Sequence, residues 1–288
     1  MFINDIFKGE FMKKSWLNNK TVVISGASGG LGFSVAKSLI EKYGCNVIGI
    51  ARNENKILAS IETLGDKKDK FSYRLFDVSK KENWTDFYNY LNENSIKIDL
   101  LINNAGFMLP FKKFEKITDQ EIDEIIKTDF ASVVYSTKTL LPLLKQSASP
   151  AIINVSSAAG LIAVVGESMY CATKFAVKGF TETLYQDYKK KIYVGGVYPG
   201  FIKTDILQRQ VEDAKNDKVL GKFMMPIEKA TKKIVKGIHK KKRRIVFGYQ
   251  ARSMSVLARL FPKTGASIIA NVLKASKFQL FDDVFDKE

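Results

Sequence analysis

The chain has 288 residues, 45% of them hydrophobic and 26% charged, with a formal net charge of +16. This is ordinary globular composition and enough length for a well-buried core, so a disordered chain is excluded. Two cysteines with no CxxC pair, and a single histidine (His239, in HKKKRR), exclude a disulfide framework and offer no metal site or histidine-based catalysis; His239 reads as a solvated surface side chain.

Residues 1–19 read as a polar leader without the apolar core of a signal peptide, and Met12 is an alternative start. Thr21–Ser25 (TVVIS) is β-branched and apolar and predicts a buried strand. A glycine-rich turn follows, then LGFSVAKSLIEKYG with helical apolar spacing and a closing glycine, then a second strand, NVIGIA. Together they have the size of one βαβ crossover. FSYRLFDV predicts a third strand, KENWTDFYNYLNE a helix and IDLLIN a fourth strand. Thr118–Lys145 predicts a long helix opened by the cap TDQE, with Pro142 expected to kink or end it. AIINVSS is a fifth strand, Ser168–Lys190 a helix, IYVGGVY a sixth strand, Pro226–Lys240 a helix and RRIVFGY a short last strand. Strands apolar throughout and separated by helices predict a single α/β domain. It is doubly wound and Rossmann-like, with a mostly parallel sheet of about seven strands and helices on both faces. Its core spans about residues 20–250, and residues 251–288 form an amphipathic C-terminal extension.

The first βα turn reads Ser25-Gly26-Ala27-Ser28-Gly29-Gly30-Leu31-Gly32. Backbone that approaches a pyrophosphate needs residues without a Cβ, and a helix N-terminus offers free N–H groups. Gly26 lets the chain turn, Gly30 allows close phosphate approach and Gly32 lets the helix sit tightly on the strand. Ser28 and Leu31 share this turn. A plain loop gives the same letters, but the position between the first strand and first helix predicts dinucleotide binding. The second strand ends at Ala51-Arg52, where an acidic residue would hold a ribose 2′-hydroxyl. Arginine there pairs with a 2′-phosphate instead and favours NADP over NAD.

Tyr170 and Lys174 are four apart at a predicted helix start and so share one face. A phenol ionises near ~10; a neighbouring ammonium lowers that value and makes a proton donor and acceptor for a carbonyl or alcohol. Ser157, thirteen residues earlier, ends the fifth strand, where a doubly wound sheet presents its ligand crevice. The chain thus resembles the short-chain dehydrogenase/reductase family. Its motifs occur in the family's order: the glycine turn, Asp77-Val78, Asn103-Asn104-Ala105-Gly106, Ser157, Tyr170, Lys174, then Pro199-Gly200 with Thr204.

The resemblance implies roles. Tyr170 exchanges the proton, Ser157 polarises the reacting oxygen, and Lys174 lowers the tyrosine pKa and holds the nicotinamide ribose. Asp77 and Val78 contact the adenine. Asn103, Ala105 and Gly106 line the cofactor cleft, Asn103 also bracing the sheet. Pro199, Gly200, Ile202 and Thr204 fix the nicotinamide. Two positions depart from the family. Asp129 stands where an asparagine is common in the proton relay, and its charge would offset the ammonium's pull on Tyr170. Gly29 replaces a basic residue of many NADP-preferring members.

Phe107–Phe111 and the apolar residues between Phe201 and Met225 (Ile202, Ile206, Leu207, Leu220, Phe223, Met224) suggest a lipophilic ketone or alcohol as substrate, although core packing explains part of them. The extension mixes cations with an apolar face. It suits packing on the domain or a second subunit, or an acidic membrane surface. No stretch of 18 apolar residues occurs, so no spanning helix is expected, and the default location is cytoplasmic. The resemblance implies a homo-oligomer. The rival readings are a non-catalytic cofactor sensor, an epimerase on the same scaffold and a basic nucleic-acid binder. The intact Ser–Tyr–Lys set weighs against the first two, and the absence of any nucleic-acid motif beyond Lys240–Arg244 against the third.

Overall fold

The computed structural model describes residues 15–204, 224–276 and 278–285. Seven parallel strands form one sheet in the order β3-β2-β1-β4-β5-β6-β7. They are β1 (Thr21–Ser25), β2 (Asn46–Ala51), β3 (Phe71–Leu75), β4 (Leu100–Asn103), β5 (Ala151–Val155), β6 (Tyr193–Pro199) and β7 (Arg244–Phe247). In the centre, Val22 of β1 lies opposite Val47 of β2 and Leu100 of β4. The strand order reverses between β1 and β4, and such a switch point opens a crevice beyond the carboxyl ends of the strands.

The pleat sends alternate side chains to opposite faces. Val22 and Ile24 meet α1 (Gly30–Tyr43), α2 (Glu54–Glu62) and α7 (Ile227–His239) through Leu39, Ile57 and Ile234. Val23 meets α3 (Lys81–Glu93), α5 (Ser132–Leu144) and α6 (Ser168–Tyr188) through Trp84, Leu140 and Leu184. Both faces are therefore dry, which is why the strands are apolar without alternation.

Several boundaries differ from those expected. β3 and β5 stop early, so Asp77-Val78 and Ser156-Ser157 hang past the strand ends. The long helix does open on a capping box, Thr118 with Glu121. It is then divided into α4 (Asp119–Ile126), a π-helical turn at Lys127–Ala131, and α5. Pro142 lies inside the last turn of α5 without ending it there. α2 was not expected from its short, polar sequence; Asn53 caps it by accepting the Lys56 amide at 2.8 Å. His239 is not a solvated side chain. It is half-buried, with Nδ1 2.9 Å from Ser15 Oγ and its ring stacked on Tyr43.

The extension forms α8 (Tyr249–Leu260) and α9 (Gly265–Ser276). Ala251, Ile269, Phe281 and Val284 are buried, and Phe281 meets Phe111 edge-on at 4.9 Å. Part of the apolar face therefore lies on the domain, whereas Val256, Leu260 and Val272 remain more than half exposed. Among the described residues no helix is long and apolar enough to cross a membrane.

Candidate active site

A cavity of about 720 Å³ runs along the carboxyl ends of the central strands. At one end lies the glycine turn. Gly26 has φ +68°, a left-handed value that favours glycine. A Cβ on Gly32 would stand 2.6 Å from Asn104 Nδ2 and closer still to the Gly26 carbonyl, so the first turn of α1 lies flat on the strand only with glycine there. No side chain caps α1 and no acidic residue occupies its first turn, which leaves its leading amides available to an anion. This cradle fits the pyrophosphate of a dinucleotide. Gly30, Ser28 and Leu31 line the same end.

Around the β2 terminus, Arg52, Asn53 and Lys56 form the wall. Lys56 was not singled out from the sequence. Its side chain lies over Gly29, so that a Cβ on that glycine would sit 2.9 Å from Lys56 Cε. A lysine from α2 thus occupies the side where Gly29 lacks a cation. Asp77 and Val78 line the adjoining wall. Burial pushes the Asp77 carboxyl up, but hydrogen bonds from Ser79 together with the charges of Arg52 and Lys80 outweigh it and hold it below the ordinary carboxylate value.

The expectation for Asn103 needs correction. It is 2% exposed and lies behind the cavity wall, donating to Asn154 Oδ1 (2.8 Å) and Thr137 Oγ1 (3.2 Å) and accepting from Ser136 at 2.7 Å. It ties β4 to β5 and α5. Its neighbour Asn104 lines the cavity instead, donating to the carbonyls of Ser25 (3.0 Å) and Gly26 (3.2 Å). The two exchange places because successive residues of an extended chain point to opposite sides. Ala105 and Gly106 do line the cavity, as do Pro199, Gly200, Ile202 and Thr204.

Ser157, Tyr170 and Lys174 line the same cavity, away from the glycine turn. The Ser157 hydroxyl accepts the Ala159 amide at 3.2 Å and favours the ionised form of the Tyr170 phenol, and the Lys174 ammonium lies 5.4 Å from the centre of the phenol ring. Burial pushes the Tyr170 phenol up to about 12; Lys174 and Ser157 lower it, while Asp129 and Glu167 raise it. The π-helical turn aims Asp129 inward, fully buried, with Oδ2 2.9 Å from Lys174 Nζ and Oδ1 accepting the Phe107 amide at 2.9 Å. Burial pulls the Lys174 ammonium down, but Asp129 and Tyr170 outweigh it and hold it above the ordinary lysine value. Burial likewise raises the Asp129 carboxyl against the pull of Lys174. A charged pair at this distance is the arrangement that leaves neither group alone in the interior. Its consequence is that much of the lysine's field is spent on Asp129 rather than on the phenol.

Of the apolar candidates, Phe107, Met108, Pro110, Phe111, Phe201 and Ile202 line the cavity. Leu109, Met224 and Met225 do not line it, Met224 packing instead against Met108 and Phe201 of its wall, and Ile206, Leu207, Leu220 and Phe223 fall outside the described residues. Gln250 and Met254 of α8 also reach the wall, as does Glu167, and none of the three carried a signal in the sequence beyond Glu167 standing three residues before Tyr170.

Fold and site together define a Rossmann-type enzyme of carbonyl–alcohol chemistry: a glycine-turn cradle opening on a Ser–Tyr–Lys set. The family model for short chain dehydrogenases matches residues 20–215, and the chain belongs to that family. It is accordingly an oxidoreductase that acts on CH–OH groups with NAD(P). SadH of Mycobacterium tuberculosis is 32% identical over 270 residues, covering 89% of this chain and 96% of that protein. The 3-oxoacyl-[acyl-carrier-protein] reductase FabG of Chlamydia trachomatis is 33% identical over 219 residues, covering 74% and 87%. Among solved structures, the alcohol dehydrogenase of Thermococcus sibiricus in complex with 5-hydroxy-NADP superposes with a TM-score of 0.68 at 23% identity, covering 78% of this chain and 93% of that one.

Proposed function

We propose that the protein reduces a lipophilic ketone or aldehyde with NADPH at Ser157, Tyr170 and Lys174. The observation that carries this reading is one continuous cavity, with the Ser–Tyr–Lys set and an apolar wall at one end and the glycine cradle flanked by Arg52 and Lys56 at the other. The bound nicotinamide supplies the hydride. Ser157 Oγ hydrogen-bonds the substrate oxygen, and Tyr170 Oη gives it the proton that completes the alcohol. Lys174 steadies the phenolate left behind and binds the nicotinamide ribose, while Asp129 positions Lys174. Asp77 and Val78 hold the adenine, and Pro199, Gly200, Ile202 and Thr204 the nicotinamide. Arg52 and Lys56 receive the 2′-phosphate, a pairing that guanidinium geometry favours. The NADP analogue bound to the solved alcohol dehydrogenase is in keeping with this preference.

The test is a fluorescence titration with NADPH and NADH. The wild type should bind NADPH more tightly, and Arg52→Ala with Lys56→Ala should weaken NADPH by about 10- to 100-fold, at the 1.5–3 kcal/mol of a charge-assisted contact, with NADH little changed. Equal binding of both nucleotides by the wild type would remove the phosphate role. A homo-oligomer built on the long helices would follow the family habit. The segment of α8, α9 and their connection, which exposes Arg252, Arg259, Lys263 and Lys274 as well as Val256, Leu260 and Val272, supports contact with an acidic membrane surface.

A further inference from the structure

The wall of the cavity holds one group that the reaction above does not use. Glu167 is 4% exposed, and neither Oε1 nor Oε2 has a hydrogen-bond partner among the described residues. It stands at the N-cap of α6, where a side chain commonly accepts a backbone amide, yet it caps nothing. It lines the cavity together with Tyr170, one helical turn away. A buried polar group without a partner is costly, and where one persists at a site it points to a partner that arrives with the ligand.

We propose that Glu167 binds the substrate, selecting carbonyl compounds that carry a hydroxyl on an otherwise apolar frame. The inference rests on the assignment of Ser157, Tyr170 and Lys174 as the reacting groups. Burial, reinforced by the charge of Asp129, holds the Glu167 carboxyl well above the usual carboxylate range. Its two enclosed oxygens have no partner among the described residues, and in the protonated form favoured by burial they offer one O–H donor and one carbonyl acceptor. A hydroxyl offers the same two functions and satisfies both. A cation is the poorer match, because it would have to ionise the carboxyl beside Asp129. Among the described residues the one buried ammonium nearby, Lys174, is already engaged 2.9 Å from Asp129. The same cavity takes apolar wall from Phe107, Met108, Phe111, Val164 and Met254, which sets the character of the rest of the molecule.

The experiment uses the full chain with NADPH and three probes, 2-octanone, 1-hydroxy-2-octanone and 4-hydroxy-2-octanone, on the wild type, Glu167→Gln and Glu167→Leu. The wild type should favour at least one hydroxy ketone over 2-octanone by about 10-fold or more in kcat/KM, since a site built around a polar contact rejects the analogue lacking it. Glu167→Leu should lose that preference, chiefly through KM, and gain on 2-octanone; Glu167→Gln, which keeps donor and acceptor, should retain part of it. Both variants should bind NADPH within about two-fold of wild type. Glu167→Leu should also melt at higher temperature, because a matched apolar group replaces an unsatisfied one; a merely structural glutamate would give a lower melting temperature. Ketones reduced with no hydroxyl preference, or all three probes lost equally in Glu167→Leu, would overturn the role of Glu167 alone. A wild type that binds NADPH and reduces none of the three would overturn the reacting-group assignment and this inference with it.

Discussion

The residue that most alters the chemistry is Asp129. Its carboxylate, 2.9 Å from Lys174, holds the ammonium in place and at the same time opposes ionisation of Tyr170. Removing that charge while keeping the shape makes the phenolate easier to form, so the sign is fixed. In alcohol oxidation, where the phenolate is the base, the rising limb of the pH–rate profile of Asp129→Asn should move to lower pH than in wild type. A limb that stays in place would show that Asp129 is not coupled to the tyrosine. Tyr170 and Lys174 were legible because their four-residue spacing fixes a common helical face whatever the fold. Glu167 was not, because an acidic residue before a helix reads as a solvated cap, and only the tertiary packing shows it enclosed. The Asn103–Asn104 exchange was equally hidden, since the end of β4 at Asn103 was legible but not which side of the sheet each of the two successive asparagines faces.

At the scale of elements, apolar runs fixed the strands and their parallel arrangement, and glycine, capping box and periodicity fixed most helices. The π-helical turn at Lys127–Ala131 escaped because one inserted residue hardly disturbs the apolar spacing of a 26-residue stretch, although it re-aims Asp129. The end of the sheet remote from the site depends on another aspartate. Asp99, just before β4, accepts the Thr21 amide of β1 (3.0 Å), Lys20 Nζ (2.9 Å) and the Ser147 hydroxyl that follows α5. Burial pushes its carboxyl up, but these bonds outweigh that and hold it below the ordinary value. A depressed folded-state pKa contributes stability above the unfolded value of ~3.9 and loses it as pH falls through the folded one. Asp99→Asn should therefore cost about 1.5 kcal/mol at neutral pH, or roughly 3–6 °C in Tm for a chain of this size. The gap between variant and wild type should shrink in acid. A gap that persists at pH 2 would point to lost packing rather than lost charge.

At the scale of the whole molecule, the net charge of +16 is spread along the chain, but its complement is not: from Tyr249 to Phe281 there is no aspartate or glutamate at all. This stretch holds several of the apolar side chains left uncovered by the fold, Leu260 (67% exposed), Val272 (63%) and Val256 (52%), close together in the sequence, whereas others such as Phe114 stand apart from it. Gln250 and Met254 of the same α8 reach the cavity wall, so a surface beneath this helix would lie beside the substrate's route. Cations near an anionic bilayer contribute about 1 kcal/mol each. Arg252, Arg259, Lys263 and Lys274 together thus represent about 4 kcal/mol, on the order of a thousand-fold in binding. The protein should co-sediment with phosphatidylserine-containing vesicles and not with pure phosphatidylcholine, and 0.5 M salt should release most of it as the Debye length falls. Val256→Ser with Leu260→Ser should weaken the association while leaving NADPH binding intact, because both side chains are more than half exposed and neither lines the cavity. Equal sedimentation with both lipids would make the contact non-electrostatic, and none with either would leave the strip to a second protein subunit, whose presence a sedimentation-equilibrium mass for wild type against the double variant would then reveal.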